Sequence, residues 1–180
     1  MMQKNDQNDW TGNGVTEYSA YFGTPTHDDH ILFELLTVGV FQVGLSWQAA
    51  ASKLPLYRRD FAGMVITKVA AFSEIDVERI AADPAMIRNP RKIQATITNA
   101  QAIIMVQKEF GSFANYLWQF VEQVPLLITY VTPDEVETRS SLASKVAHDM
   151  KHRGFKFVGP VVTHMFMKAA GLIQDEILDQ

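Results

Sequence analysis

Apolar residues recur at helical spacing through most of the chain. Between Asp28 and Ala51 the positions Ile31, Leu32, Leu35, Leu36, Val38 and Phe41 form one stripe, the 3.6-residue period of a helix with a buried side. Asp28 or Asp29 stands where an N-cap belongs, and Gly44 marks a break. Helical character resumes over Trp47 to Lys53, Pro55 stops or restarts it, and Tyr57, Phe61 and Met64 follow at spacings of four and three. From Ser73 the run S-E-I-D-V-E-R-I alternates a polar start with Ile75, Val77 and Ile80, and Pro84 limits that helix. Ile93 to Phe110 is the longest periodic stretch and Gly111 closes it. Phe113, Tyr116, Leu117 and Phe120 predict a further helix before Pro125. Ser140 to Arg153 and Val161 to Leu172 predict the last two, joined by the turn R-G-F-K-F-V-G-P.

These elements predict an all-α fold, a single-domain helical bundle. The β-rich run Ile128 to Val131 is too short to change the class, and no repeat or linker divides the chain. A chain of 180 residues buries roughly 70% of its unfolded surface, so it needs neither a disulfide nor a metal to stay folded. It has no cysteine, which excludes disulfides, Cys-rich zinc sites and thiol nucleophiles. Met1 to Trp10 is rich in Asn, Asp, Gln and Lys and lacks the apolar centre of a secretion signal. Residues 1–12 are therefore expected to form a disordered tail, and 13–180 the folded domain. Charged or amide side chains interrupt every apolar run before the roughly 20 residues needed to cross a bilayer. A soluble, cytoplasmic monomer is expected. The net charge of −4 argues against a generally basic coat, so any nucleic-acid binding must use a local patch.

One such patch is Lys151-His152-Arg153-Gly154-Phe155-Lys156-Phe157-Val158-Gly159-Pro160. Its two glycines bracket a tight turn, and Pro160 suits a first helical position. Free amide groups at the following helix start would attract a phosphate, with Lys151, Arg153 and Lys156 adding charge. The other reading is a helix-to-helix turn whose cations face water. Arg88, Asn89, Pro90, Arg91 and Lys92 form a second basic group, at the start of the long helix where positive charge opposes the helix dipole. It reads equally as a surface loop. At the earlier break, Phe41-Gln42-Val43-Gly44-Leu45-Ser46-Trp47 places a Gly-Leu step before a large aromatic residue. An enzyme that swings a base out of a duplex needs an apolar group to fill the gap and aromatic faces to hold the base. Leu45 and Trp47 suit those two tasks, although Trp47 also reads as a core residue, and Tyr21 and Phe22 are similarly open.

Together these segments resemble the DNA-3-methyladenine glycosylase I family. The family patterns Q-A-G-L-S-W and K-R-G-F-K-F-V-G are matched by Gln42 to Trp47 and by His152 to Gly159. The likeness extends from about Tyr18 to the C-terminus. It implies a fold of the helix-hairpin-helix DNA glycosylase type, damaged double-stranded DNA as partner, and hydrolysis of the N-glycosidic bond of a flipped alkylated purine. Tyr21, Phe22, Phe41, Gln42 and Trp47 would then bind the base, and Gly44, Leu45, Ser46, Lys151, Arg153, Gly154, Lys156 and Gly159 would contact DNA. Asp175 follows the anchor helix, where superfamily relatives place a catalytic Asp. It also reads as a solvent-facing carboxylate.

The departures from the family are specific. Its zinc ligands are missing: Tyr18-Ser19-Ala20-Tyr21-Phe22-Gly23 replaces Y-H-D-x-E-W-G, and Glu176 and Gln180 stand at the C-terminal His and Cys. No zinc and no other cofactor are expected. The pocket Glu of L-E-G-x-Q-A-G-L-S-W is replaced by Gly39. Two functions follow: an active glycosylase of uncertain alkylated-base substrate, or a catalytically altered relative that acts as a DNA-binding module.

Overall fold

The computed structural model describes residues 6–178, with side chains from Gly14 onward. The helices are α1 (Asp6–Tyr21), α2 (Asp29–Gln42), α3 (Trp47–Ala51), α4 (Leu54–Asp60), α5 (Ile66–Ala70), α6 (Glu74–Ala81), α7 (Pro90–Phe110), α8 (Phe113–Trp118), α9 (Ser141–His152) and α10 (Pro160–Ala169). Helix α1 begins inside the segment expected as a tail, while residues 1–5 lie outside the described ones. Among the described residues the fold is all-α apart from one two-stranded ribbon.

Short polar side chains start several of these helices. Asp28 Oδ1 accepts from the amides of His30 and Ile31, and Asn89 Oδ1 from those of Arg91 and Lys92, with Pro90 next in line. Ser73 and Asp76 form a capping box on α6. Such caps satisfy amides that the helix itself cannot. Asp29 acts across the molecule: its carboxylate accepts from the amides of Phe113 and Ala114 and from Gln107 Nε2, each at 2.9 Å. The first turn of α2 therefore also caps α8.

Helix α2 is buried along almost its whole length, from Leu32 to Phe41. It packs against α3, α7, α8 and α10, and α7 also packs against α5 and α6. Phe113 stacks on Phe155 and Phe166, joining α8, the late turn and α10 in one aromatic cluster.

The strand-forming run is longer than the sequence pattern predicts. β1 (Leu126–Tyr130) pairs in parallel with β2 (Ile173–Ile177), from Leu126 opposite Ile173 to Tyr130 opposite Ile177. Helix α10 ends at Ala169, ahead of the Leu172 expected, because Gly171 turns the chain at φ 79°. A Cβ at Gly171 would lie 2.5 Å from the nitrogen of Pro25, so only glycine fits between the two segments.

Candidate active site

An aromatic slot lies between α1 and α3. Tyr18 and Phe22 are four residues apart on α1 and share one face. Trp47 opens α3, whose N-cap Ser46 accepts from the Ala49 amide at 3.1 Å. The Tyr18 and Trp47 ring centres lie 6.2 Å apart, and those of Tyr18 and Phe22 5.8 Å apart in an edge arrangement. With Ser19 and Met165 these rings enclose about 350 Å³. Burial pushes the Tyr18 hydroxyl up to about 12, so the slot stays uncharged there at neutral pH. The two walls are tied by main chain: a Cβ on Gly14 of α1 would sit 2.6 Å from the Ala51 carbonyl oxygen.

A second hollow of about 300 Å³ shares Met165 with the slot. Gly39, Gln42, Val43, Gly44, Val161 and Val162 line it. Gly39 stands where the resemblance places a carboxylate. The nearby acids Glu34 and Glu17 are already engaged, because Arg58 Nε donates to Glu34 at 2.7 Å and its two terminal nitrogens donate to both oxygens of Glu17 at 2.7 and 2.8 Å. Arg58 holds the Glu17 carboxyl below the usual carboxylate range although burial opposes it. Burial pushes Glu34 the other way, against the pull of Arg58.

Between the hollows and solvent runs the turn after α2. Gly44 takes φ 78°, and the Leu45 amide returns to the Gln42 carbonyl at 2.8 Å. Lys92 holds this turn from inside: its Nζ donates to the carbonyls of Phe41 at 2.8 Å and Val43 at 2.5 Å. Burial lowers its pKa, and a cation at a helix C-terminus is favoured by the helix dipole. Outward, the turn presents an apolar rim: Val43 is 42% exposed, Leu45 43%, Trp47 37% and the neighbouring Val161 37%.

The late hairpin joins α9 to α10. Gly154 adopts φ 97°, while Phe155 and Val158 turn into the core and Lys156 stays exposed. Buried Asn99 of α7 clamps the loop: the Lys156 amide donates to Asn99 Oδ1 at 2.7 Å, and Asn99 Nδ2 donates to the Lys156 carbonyl at 3.2 Å. Gly159 precedes α10 without a capping side chain, leaving the first amides of that helix to an outside acceptor. Lys156 also lines a shallow cleft of about 880 Å³ with Arg91, Gln94, Thr98 and Phe157, faced by Glu74 and Glu78. The two basic segments of the sequence therefore meet at Arg91 and Lys156.

Several expected roles change. Tyr21 does not line the slot, its hydroxyl donating instead to Glu17 at 3.2 Å, and Tyr18 takes the place expected for it. Phe41 is fully buried and stacks on Tyr57 at 4.8 Å, so it offers no face to a ligand. Arg153 is committed to Asp149 at 2.8 Å and Glu109 at 2.6 Å and lies over the rings of Phe110 and Tyr116, which withdraws it from any phosphate. Asp175 is neither solvent-facing nor in the slot: it pairs with Lys168 at 2.5 Å on β2, beside a separate hollow that touches Phe22. Phe22, Gln42 and Trp47 do line the two hollows, and Gly44, Leu45, Ser46, Lys151, Gly154, Lys156 and Gly159 fall on the turn and hairpin. Tyr18, Met165 and Asn99 carry no signal in the pattern, and Lys92, part of the second basic group there, is buried.

A family model described as methyladenine glycosylase matches residues 11–179. The chain belongs to the methyladenine glycosylase family. Members of this family are N-glycosylases, a class of hydrolases. Among family relatives, DNA-3-methyladenine glycosylase 1 of Escherichia coli (strain K12) is 37% identical over 165 residues, covering 89% of this chain and 88% of that protein. DNA-3-methyladenine glycosylase of Haemophilus influenzae is 28% identical over 165 residues, covering 92% and 89%. A solved structure of a 3-methyladenine DNA glycosylase I variant in complex with 3-methyladenine superposes with a TM-score of 0.85 at 29% identity, covering 99% of this chain and 92% of the other. The Staphylococcus aureus enzyme of the same name gives 0.83 at 28% identity, covering 97% and 90%. The resemblance implies zinc ligands at three places, and the donors there differ. Glu176 accepts from Thr129 Oγ1 at 3.1 Å, residues 18–23 offer neither thiolate nor imidazole, and Gln180 lies outside the described residues. Among the described residues no three His, Asp or Glu side chains converge on a common point. This donor set does not fit a zinc ion.

Proposed function

We propose that this family member hydrolyses the N-glycosidic bond of an N-alkylated purine swung out of duplex DNA. The observation that carries the reading is the aromatic slot of Tyr18, Phe22 and Trp47, which opens beside the exposed Gly44-Leu45 turn. Alkylation of a purine ring nitrogen makes the base cationic. When the bond from C1′ to the base breaks, the bonding pair stays with the base, which leaves neutral and needs no proton. Water then adds its oxygen to C1′ and gives up a proton to solvent. A slot of aromatic faces favours the bound cation by about 0.5–2 kcal/mol per face, and exclusion of water strengthens that attraction. Leu45 fills the gap left in the base stack. Lys151, Lys156 and the uncapped start of α10 hold phosphates of one strand, which makes binding salt-sensitive.

A second reading is supported by Gly39 and by the pairing of Glu17 and Glu34 with Arg58 and of Asp175 with Lys168: with each of these carboxylates held in an ion pair, the chain acts as a DNA-binding module. The deciding experiment incubates the protein with alkylated duplex DNA and identifies released bases by chromatography. Release of a methylated purine is expected. Absence of any released base, with duplex binding intact, refutes the enzyme reading in favour of the second.

A further inference from the structure

We propose that the hollow behind Met165 is a specificity subsite for the substituent of the damaged base, and that it selects purines carrying an apolar N-alkyl group larger than methyl. The inference rests on the base-binding reading of the aromatic slot. Two spaces of about 350 and 300 Å³ lie side by side, and Met165 is the side chain common to both. The second space opens at the rim, where Val43 and Val161 are partly exposed, and its floor is a residue without a side chain, Gly39 in the buried last turn of α2. A Cβ built there meets a single atom within 4 Å, Val162 Cγ1 at 3.6 Å. Its walls are Val43, Val161 and Val162, with Gln42 as the one polar side chain.

This chemistry favours an apolar occupant. A carboxylate at position 39 would accept hydrogen bonds from the polar edge of a small base. Glycine with valine walls cannot, and water in such a space finds few partners. An alkyl chain replaces that water at a gain of about fourfold in affinity per buried methylene. Methionine suits the boundary, because its unbranched thioether changes rotamer easily and packs on aromatic rings and alkyl chains alike. The base itself stays against the exposed Trp47, beside Phe22, while its substituent passes Met165 toward Gly39. Enlarging the occupant therefore costs no stacking.

The test is calorimetric binding of two free bases, 3-methyladenine and 3-butyladenine, to the full chain. Butyl adds three methylenes, and a preference of at least tenfold for 3-butyladenine is expected. Gly39→Leu, which puts a side chain into the second space, reduces that preference to about unity. Val162→Phe fills the same space from α10 and does the same if the first variant folds poorly. Equal or tighter binding of 3-methyladenine by the unaltered chain overturns the proposal, as does failure of both bases to bind. Binding of free bases does not require catalysis. If 3-butyladenine binds preferentially while no base is released from alkylated duplexes, the subsite stands and the enzyme reading falls.

Discussion

Replacing Lys92 by methionine tests how the turn carrying Gly44 and Leu45 is held. The ammonium donates to the carbonyls of Phe41 and Val43, and hydrogen bonds to a charged group contribute about 1.5–3 kcal/mol each. Lys92→Met removes both. Val43 is 42% exposed, so water can compensate near its carbonyl, whereas the Phe41 carbonyl lies in the core and stays unsatisfied. Against these losses stands relief from burying an ammonium, a cost visible in the lowered pKa of Lys92. A net destabilisation of about 1–3 kcal/mol is expected, or roughly 2–4 °C in Tm for each kcal/mol in a chain of this size. Base release should suffer more, because a displacement of about 1 Å in a positioning element can cost on the order of 100-fold in rate. Urea unfolding gives the stability change, and base release from methylated duplex, measured well below Tm, gives kcat/KM. If both stay at wild-type values, Lys92 does not hold the turn. If stability falls while kcat/KM does not, the turn's position is irrelevant to the reaction.

Two further changes probe the supports around the site. Asn99→Ala leaves the Lys156 amide and carbonyl without their buried partner, so stability should drop by about 1–3 kcal/mol. Duplex affinity, read by fluorescence anisotropy at fixed salt, should weaken about tenfold, and unchanged affinity would separate the clamp from DNA binding. Glu17→Gln should destabilise the chain at neutral pH, because Arg58 holds the Glu17 carboxyl below its unfolded value of about 4.3. A depressed carboxyl contributes its full stabilisation above the unfolded value and loses it as pH falls through the folded one. The gap between wild type and variant, followed by urea titration, should therefore close in acid below about pH 4; a gap that stays constant would mean the pair with Arg58 does not couple to folding.

The helices with strong caps and periodic apolar stripes were readable from sequence, α7 most of all, as were the hairpin glycines and the Gly-Leu-Ser-Trp turn. Helix α1 was not, because its first half, apart from Trp10, is composed of Asn, Asp, Gln, Thr and Gly, residues of which most favour loops and caps. Without that helix its phase could not be known. The phase decides which tyrosine faces the slot: Tyr18 shares a face with Phe22, while Tyr21 shares one with Glu17. Strand β2 escaped for a related reason, since Gln174-Asp175-Glu176 shows no apolar alternation and owes its conformation to pairing with β1. Lys92 looked like a surface cation because sequence spacing carries no information on depth. Arg153 could have been read better, since Asp149 precedes it by one helical turn and such pairs form readily.

At Gly14 the backbones of α1 and α3 touch without an intervening side chain. The approach of the two helices that carry Tyr18 and Trp47 is consequently set by main-chain contact, not by the size of an intervening side chain. In the proposed reading, substitutions elsewhere on the rim can then retune which adducts are admitted while the two helices keep their spacing. A family scaffold so built can drift in selectivity, one wall residue at a time, and keep its gauge.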